Sequence, residues 1–142
     1  MLTTVLVDDK ATNIRLLTNL IGEYCPQLKI VGTAQNNTDA SQIILKHHPD
    51  LVFLDIEIDH ENGFDLVEKA RGNYKELIFV TAYEHYALKA IHNRAIDYLL
   101  KPIEIDALIH AVEKAEEQIR LKETHVNIHR YLQQHHSREK KS

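Results

Sequence analysis

Three carboxylates, one hydroxyl and one ammonium each stand after a short apolar run, and together they could bind a cation and a phosphoryl group. They are Asp8, Asp9, Asp55, Thr81 and Lys101. Short apolar runs separated by helical patterns are typical of buried parallel strands, and ligands bind outside the carboxyl ends of such strands. The sequence therefore predicts that these five side chains meet at one edge of one sheet.

The three aspartates would repel one another if they met without a counter-charge. Two like charges about 4 Å apart repel by about 4 kcal/mol at an effective dielectric constant of about 20. Either one carboxyl takes up a proton or a hard divalent cation relieves this repulsion, and oxygen-only ligands favour Mg²⁺ (or Mn²⁺) over zinc. Such sites commonly share the ion with a phosphate. Lys101 and Thr81 would add a positive charge and a hydroxyl donor for a phosphoryl group.

Asp55 is the predicted nucleophile, because it stands alone after the most apolar of these runs. A carboxylate that attacks phosphorus becomes an acyl phosphate. Taken singly, an aspartate at a strand end is usually a cap or a turn residue, and a threonine in a strand usually reflects β propensity. Their joint occurrence at the ends of predicted strands one, three, four and five favours the chemical interpretation.

The elements that must position these residues alternate between strand and helix. Predicted strands cover residues 3–8, 28–32, 51–55, 77–81 and 96–100. Predicted helices cover 11–24, 39–47 with Asn37 or Thr38 as N-cap, a segment from Phe64 to a cap at Gly72, 83–93, and a last helix from Ile103. This alternation predicts an α/β domain with a parallel sheet covered on both faces.

Size and composition limit the function classes. A chain of 142 residues is predicted to form one domain plus a tail. The net charge of −4 argues against a nucleic-acid surface on this domain. A single cysteine excludes an internal disulfide, and we expect no secretory leader and no membrane span, so the expected location is the cytoplasm.

The end of the chain is predicted to differ from the rest. Apolar residues at heptad-like spacing run to Ile119 and then become sparse, with Lys122 and His129 in positions where an apolar residue would continue the pattern. We therefore expect the domain to cover residues 1–121. Residues 122–142 would form a helical extension or linker, with a disordered tail from Ser137.

With these residues in place, the chain resembles the response-regulator receiver domains of two-component signalling over residues 3–121. The resemblance implies a flavodoxin-like (βα)5 doubly wound sheet with strand order 2-1-3-4-5. It implies that Asp55 is the phosphoacceptor, with Mg²⁺ bound by Asp8, Asp9, Asp55 and the backbone carbonyl of Glu57. Thr81 and Lys101 would contact the phosphoryl group, and the Lys101–Pro102 peptide bond would be cis.

Three segments resemble receivers of the LytTR class in particular. They are residues 79–83, 86–88 and 95–102. In that class the receiver precedes a DNA-binding LytTR domain, which residues 1–142 do not include. Tyr98 would be the aromatic switch that reports on Thr81, and Glu57 and Tyr83 occupy positions that modulate phosphoryl lifetime. The chain departs from the family pattern at Lys10, where Glu is common.

The resemblance implies a phosphorylation-dependent switch and not a turnover enzyme. A sensor histidine kinase would donate the phosphoryl group, and the face formed by helix four, strand five and helix five would form a homodimer. DNA would be bound only through the absent C-terminal domain, giving a transcriptional output. One alternative is an aspartyl-phosphate phosphatase of the haloacid-dehalogenase type, although that family places its acidic pair after the nucleophile. The other is a receiver-like interaction module that never sees phosphate.

Overall fold

A single five-stranded parallel sheet forms the centre of the protein. The computed structural model describes residues 1–58 and 60–141, and the side chains up to residue 135. The strands are β1 (Leu2–Val7), β2 (Leu28–Ala34), β3 (Leu51–Leu54), β4 (Glu76–Thr81) and β5 (Asp97–Leu100). Their spatial order is β2-β1-β3-β4-β5, and all four pairs are parallel. This confirms the predicted order 2-1-3-4-5.

Five helices connect and cover the strands. They are α1 (Ala11–Tyr24), α2 (Asn37–His47), α3 (Gly63–Ala70), α4 (Ala87–His92) and α5 (Ile105–Lys141). A short 3-10 turn at Glu84–Tyr86 precedes α4, so the helix predicted over 83–93 is shorter than expected. None of the described helices combines the length and apolar character needed to cross a membrane.

Cap residues were predicted at the start of α2 and at the end of α3. The N-cap of α2 is Asn36, whose side chain accepts a hydrogen bond from the Asp39 amide at 2.8 Å, so the predicted caps at Asn37 and Thr38 were wrong. Asn36 is better placed because its extended backbone points the side-chain oxygen at the exposed amides of the first turn. Gly72 does follow α3 with a positive φ of 88°, a conformation that glycine adopts without strain.

The sheet buries a separate apolar layer on each face. Val5, Val7 and Phe79 point to the layer under α2, α3 and α4. Leu6 and Ile78 point to the opposite layer, under α1 and α5. This alternation follows from the two-residue period of a strand, and it explains why a strand covered on both faces is apolar at every position.

Helix α5 is longer than the sequence analysis predicted. It begins at Ile105, after the predicted start at Ile103, and it runs without a break to Lys141. Among the described side chains, Ile119 is the last buried residue of α5, and the helix continues past it as the predicted extension and through the residues from Ser137 that were predicted as a disordered tail. The physical reason is that no glycine or proline follows Pro102, and strong helix formers fill the segment. The domain boundary at residue 121 stays a prediction.

Candidate functional site

The carboxyl ends of four strands bring the predicted residues to one edge of the sheet. Asp8 directly follows β1 and Asp55 directly follows β3, and the Asp55 amide donates to Val7 O at 3.0 Å. Thr81 ends β4, and Lys101 follows β5 with its amide bonded to Thr81 O at 2.9 Å. These backbone hydrogen bonds continue the strand ladder, so the position of each side chain is fixed by the sheet.

Lys101 bridges two of the aspartates. Its ammonium lies 2.6 Å from Asp8 Oδ2 and 2.8 Å from Asp55 Oδ2. All three side chains are largely shielded from solvent, with 21%, 11% and 9% exposure for Lys101, Asp8 and Asp55. A buried ion pair of this kind needs good geometry to offset the loss of hydration. The lysine therefore lies where it could also neutralise a group bound to Asp55.

The three aspartates also fit a divalent cation. Asp8, Asp9 and Asp55 each offer one carboxylate oxygen, and these oxygens lie within 4.8 Å of one another. Oxygen donors from two or three carboxylates, with water completing the shell, are what Mg²⁺ prefers. The donor set therefore fits the ion that the sequence predicted. The Glu57 carbonyl stays a prediction as a further ligand.

Asn13 is a site residue that the sequence analysis missed. Its side-chain amide donates to Asp8 Oδ1 at 3.2 Å, and the Lys10 amide donates to the same oxygen at 3.0 Å. These two bonds orient the Asp8 carboxylate, which leaves Oδ2 for Lys101. A signal was available, because an amide side chain in the first turn of the helix after an acidic pair lies close to that pair.

Burial and neighbouring charges have opposite effects on the pKa values of Asp55 and Lys101. Burial raises the pKa of Asp55 above its ordinary value, and Asp8 adds to this, although the Lys101 hydrogen bond opposes it. For Lys101, burial acts to lower the pKa, but its hydrogen bonds to Asp55 and Asp8 outweigh burial and raise it. Lys101 is therefore held as an ammonium. Any further positive charge near Asp55 would lower the pKa of its carboxyl group.

Thr81 carries an unused hydrogen-bonding group at the same edge. The residue is fully buried, and its Oγ1 has no hydrogen-bond partner within the part of the chain that the structure describes. A buried polar group without a partner costs about 1–3 kcal/mol. A hydrogen-bond acceptor that reached this hydroxyl would therefore be bound favourably.

Gly63 allows the start of α3 to lie against the loop that follows β3. A Cβ at this position would lie 2.6 Å from the carbonyl oxygen of Asp55 and 3.0 Å from Ile56 Cα. The Gly63 amide donates to Ile56 O at 2.6 Å, which holds the two segments together. In the structure Gly63 is the first residue of α3.

Glu57 and three tyrosines connect the loop after β3 with the segment after β4. Tyr86 Oη donates to Glu57 Oε1 at 2.7 Å, and Tyr98 Oη donates to the carbonyl of Tyr83. Hydrogen bonding to Glu57 is the largest cause that raises the pKa of Tyr83 and of Tyr86. Glu57, Tyr83 and Tyr98 are predicted site residues, whereas Tyr86 was not predicted to be one. Its spacing of three from Tyr83 could have indicated a shared side of a helical turn.

Comparison with known proteins identifies the family. The family model described as the response regulator receiver domain matches residues 4–113. This chain belongs to that family. The receiver is similar to an uncharacterized response regulatory protein of Vibrio cholerae, with 39% identity over 120 residues, 83% of this chain and 46% of the relative.

Relatives named for sensory transduction confirm the LytTR class that the resemblance predicted. Sensory transduction protein LytT of Enterococcus faecalis is 38% identical over 117 residues, 81% of this chain and 48% of the relative. LytR of Staphylococcus haemolyticus is 36% identical over 118 residues, 82% of this chain and 46% of the relative. The receiver therefore spans about half the length of the curated relatives it matches.

Solved structures share the receiver fold. The REC domain of AraT, a response regulator from Geobacillus stearothermophilus, superimposes with a TM-score of 0.76 at 26% identity, over 86% of this chain and 98% of that one. The response regulatory domain of mrkE from Klebsiella pneumoniae gives 0.75 at 26% identity, over 84% and 98% of the two chains. These matches confirm the flavodoxin-like arrangement of a signalling receiver.

Proposed function

We propose that this receiver is switched by transfer of a phosphoryl group to Asp55. The observation that carries the proposal is the pairing of two features at one edge. Lys101 bridges Asp55 and Asp8, and the buried Thr81 hydroxyl has no partner within the described residues. A phosphoryl group on Asp55 would supply the acceptor that Thr81 lacks and a partner for the Lys101 ammonium.

The transfer itself needs little from the protein beyond position and charge. A carboxylate oxygen of Asp55 attacks phosphorus, and the bond from phosphorus to the phosphohistidine nitrogen of the donor kinase breaks. The donor nitrogen keeps the electron pair, so the phosphoryl group moves without oxidation or reduction. Lys101 and Thr81 would hold the transferred oxygens, as the sequence analysis predicted.

Mg²⁺ (or Mn²⁺) would be held by Asp8, Asp9, Asp55 and the Glu57 carbonyl. The bound ion would supply positive charge to offset that of the aspartates and the phosphoryl oxygens. The carboxylate positions support this part of the proposal, because three oxygens already lie within 4.8 Å of one another. Asn13 would keep Asp8 oriented toward the ion and Lys101.

The expected donor is a sensor histidine kinase, the partner kind that receiver membership implies. The expected readout is the face of α4, β5 and α5, where Leu88, Ile91 and Leu100 are exposed at 68%, 70% and 38%. We propose that Thr81 and Tyr98 transmit the modification to this face and that the face pairs two copies. A DNA-binding domain absent from these residues would give the transcriptional output, in the cytoplasm.

Phosphorylation in vitro tests this function directly. The protein is incubated with acetyl phosphate and Mg²⁺, and its intact mass is measured. We expect one added phosphoryl group, lost in Asp55→Asn and retained in the control Asp106→Asn on the exposed start of α5. An Asp55→Asn protein that still gains phosphate, or a wild-type protein that gains none, would contradict the proposal. Sustained phosphomonoester hydrolysis would instead support the phosphatase alternative.

A further inference from the structure

The backbone of Glu57 is next to the site, but its side chain is not part of the site. Its amide donates to Asp55 Oδ1 at 3.2 Å. Within the described residues, however, the group of acidic oxygens that could share an ion consists of Asp8, Asp9 and Asp55, and the Glu57 carboxylate is not among them. A glutamate so close in sequence to a cation site has the reach to join it, and here its side chain is hydrogen-bonded elsewhere.

Tyr86 forms a hydrogen bond with this carboxylate. Its phenol donates to Glu57 Oε1 at 2.7 Å, across 29 residues of sequence. Hydrogen bonds to ionised acceptors are about twice as strong as neutral ones. The bond therefore restrains a glutamate side chain that is otherwise exposed to solvent.

The tyrosine is itself well fixed. Its ring packs against Phe64 with centroids 6.0 Å apart and against His85 with centroids 4.1 Å apart. It also contacts the apolar layer under α2, α3 and α4. The phenol is thus presented by a packed ring, so the hydrogen bond to Glu57 needs no further ordering of Tyr86.

We propose that Tyr86 is a positioning residue for the cation site, because its phenol keeps the Glu57 carboxylate away from Asp8, Asp9 and Asp55. The proposal rests on the proposed function only in taking that cluster as the place where Mg²⁺ binds. With Glu57 held away, the ion has three carboxylates and keeps positions for water and for oxygens of the phosphoryl donor. A fourth carboxylate would bind the cation more tightly and repel an anionic donor.

Mg²⁺ titration without any phosphoryl donor tests this role. We expect Tyr86→Phe to bind Mg²⁺ roughly three- to tenfold more tightly by calorimetry, because Glu57 becomes free to add its charge. In a Glu57→Ala background the same change should have no effect, since coupled residues are non-additive. Tyr131→Phe, on the distant part of α5, is the matched control.

The outcomes separate the two proposals. If wild type and Tyr86→Phe bind Mg²⁺ equally, or if the shift persists in Glu57→Ala, the positioning role is wrong and the proposed function stands. A wild-type protein that binds no Mg²⁺ would overturn both. Phenylalanine keeps the ring contacts with Phe64, and a thermal melt of each variant establishes that the fold is retained.

Discussion

Lys122 donates to the carboxylate of Glu76 at 2.6 Å, joining α5 to the first residue of β4. Glu76 is only 5% exposed, and Lys122 also donates to Lys75 O at 3.3 Å. Lys75 in turn pairs with Glu123 at 3.2 Å. These bonds attach α5 to the amino-terminal edge of the sheet beyond residue 121. We propose that the folding unit of the receiver extends through Glu123.

Loss of the Lys122 ammonium is expected to destabilise the protein. Lys122→Ala leaves the buried Glu76 carboxylate without its partner, which should lower the free energy of unfolding by about 1–3 kcal/mol. Urea denaturation measures the change. Arg120→Ala is the matched control, because Arg120 pairs with Glu117 at the same 2.6 Å but with both side chains more than half exposed. The control should change stability by less than about 1 kcal/mol, and equal losses would contradict the anchoring role.

Removing the Thr81 hydroxyl is expected to stabilise the unphosphorylated protein. Thr81→Val keeps the shape and removes a buried group without a partner, so unfolding should cost about 1–2 kcal/mol more. Thr4→Val is the comparison, because Thr4 is equally buried but its hydroxyl donates to Leu2 O at 3.2 Å. That change should be neutral or destabilising. A less stable Thr81→Val protein in chemical denaturation would show that the hydroxyl already has a partner.

Two glycines should respond in opposite directions to an added methyl group. Gly63→Ala places a Cβ 2.6 Å from Asp55 O, so we expect a loss of about 1–3 kcal/mol. Gly22→Ala lies inside α1 with nothing within 4 Å of the new Cβ, so we expect a gain of about 0.5–1 kcal/mol. Melting temperatures of the two variants test the pair. Equal shifts would mean that the α3 start is not tightly packed on the Asp55 loop.

Acid stability should depend on Asp50. Burial alone would raise its pKa, but hydrogen bonds from Thr3 at 2.8 Å and from Lys75 outweigh burial and hold the pKa below its ordinary value. A depressed pKa gives stability that is present above the unfolded value of about 3.9 and is lost as pH falls through the folded value.

The measurement is the free energy of unfolding across the acid range, for wild type and for Asp50→Asn. We expect wild type to lose stability more steeply than the variant as the pH falls below about 4. Asp106→Asn, at an exposed position, serves as the control and should follow wild type. Parallel curves for wild type and Asp50→Asn would show that the Thr3 and Lys75 bonds do not govern acid unfolding.

The strand-end residues were predictable because the geometry of a parallel sheet is simple. Once Asp8, Asp55, Thr81 and Lys101 are placed at strand ends, the sheet alone brings them to one edge. The hydrogen bonds between side chains of distant loops could not be predicted in the same way. Tyr86 and Glu57 are 29 residues apart, and no local pattern joins a tyrosine in one loop with a glutamate in another.

Local sequence patterns also gave wrong predictions where the local structure depends on tertiary contacts. Lys122 stands where an apolar residue would continue the pattern of α5, and only the position of Glu76, 46 residues earlier, explains it. The segment before α4 was predicted as one helix, but Tyr83 has an extended backbone and Glu84–Tyr86 form a 3-10 turn. Tyr86 at the end of this turn is hydrogen-bonded to Glu57, a contact that no local pattern of the segment encodes.

The length of α5 has a mechanical consequence. Beyond the Lys122–Glu76 pair, the side chains of residues 123–134 are exposed, so this part of the helix has little contact with the sheet. From Glu123 to His135 the helix axis rises about 18 Å, and a tilt of about 10° at its base would move the far end by about 3 Å. A small rotation of α5 about the Lys122–Glu76 pair would therefore become a displacement of several ångströms at the far end of the helix.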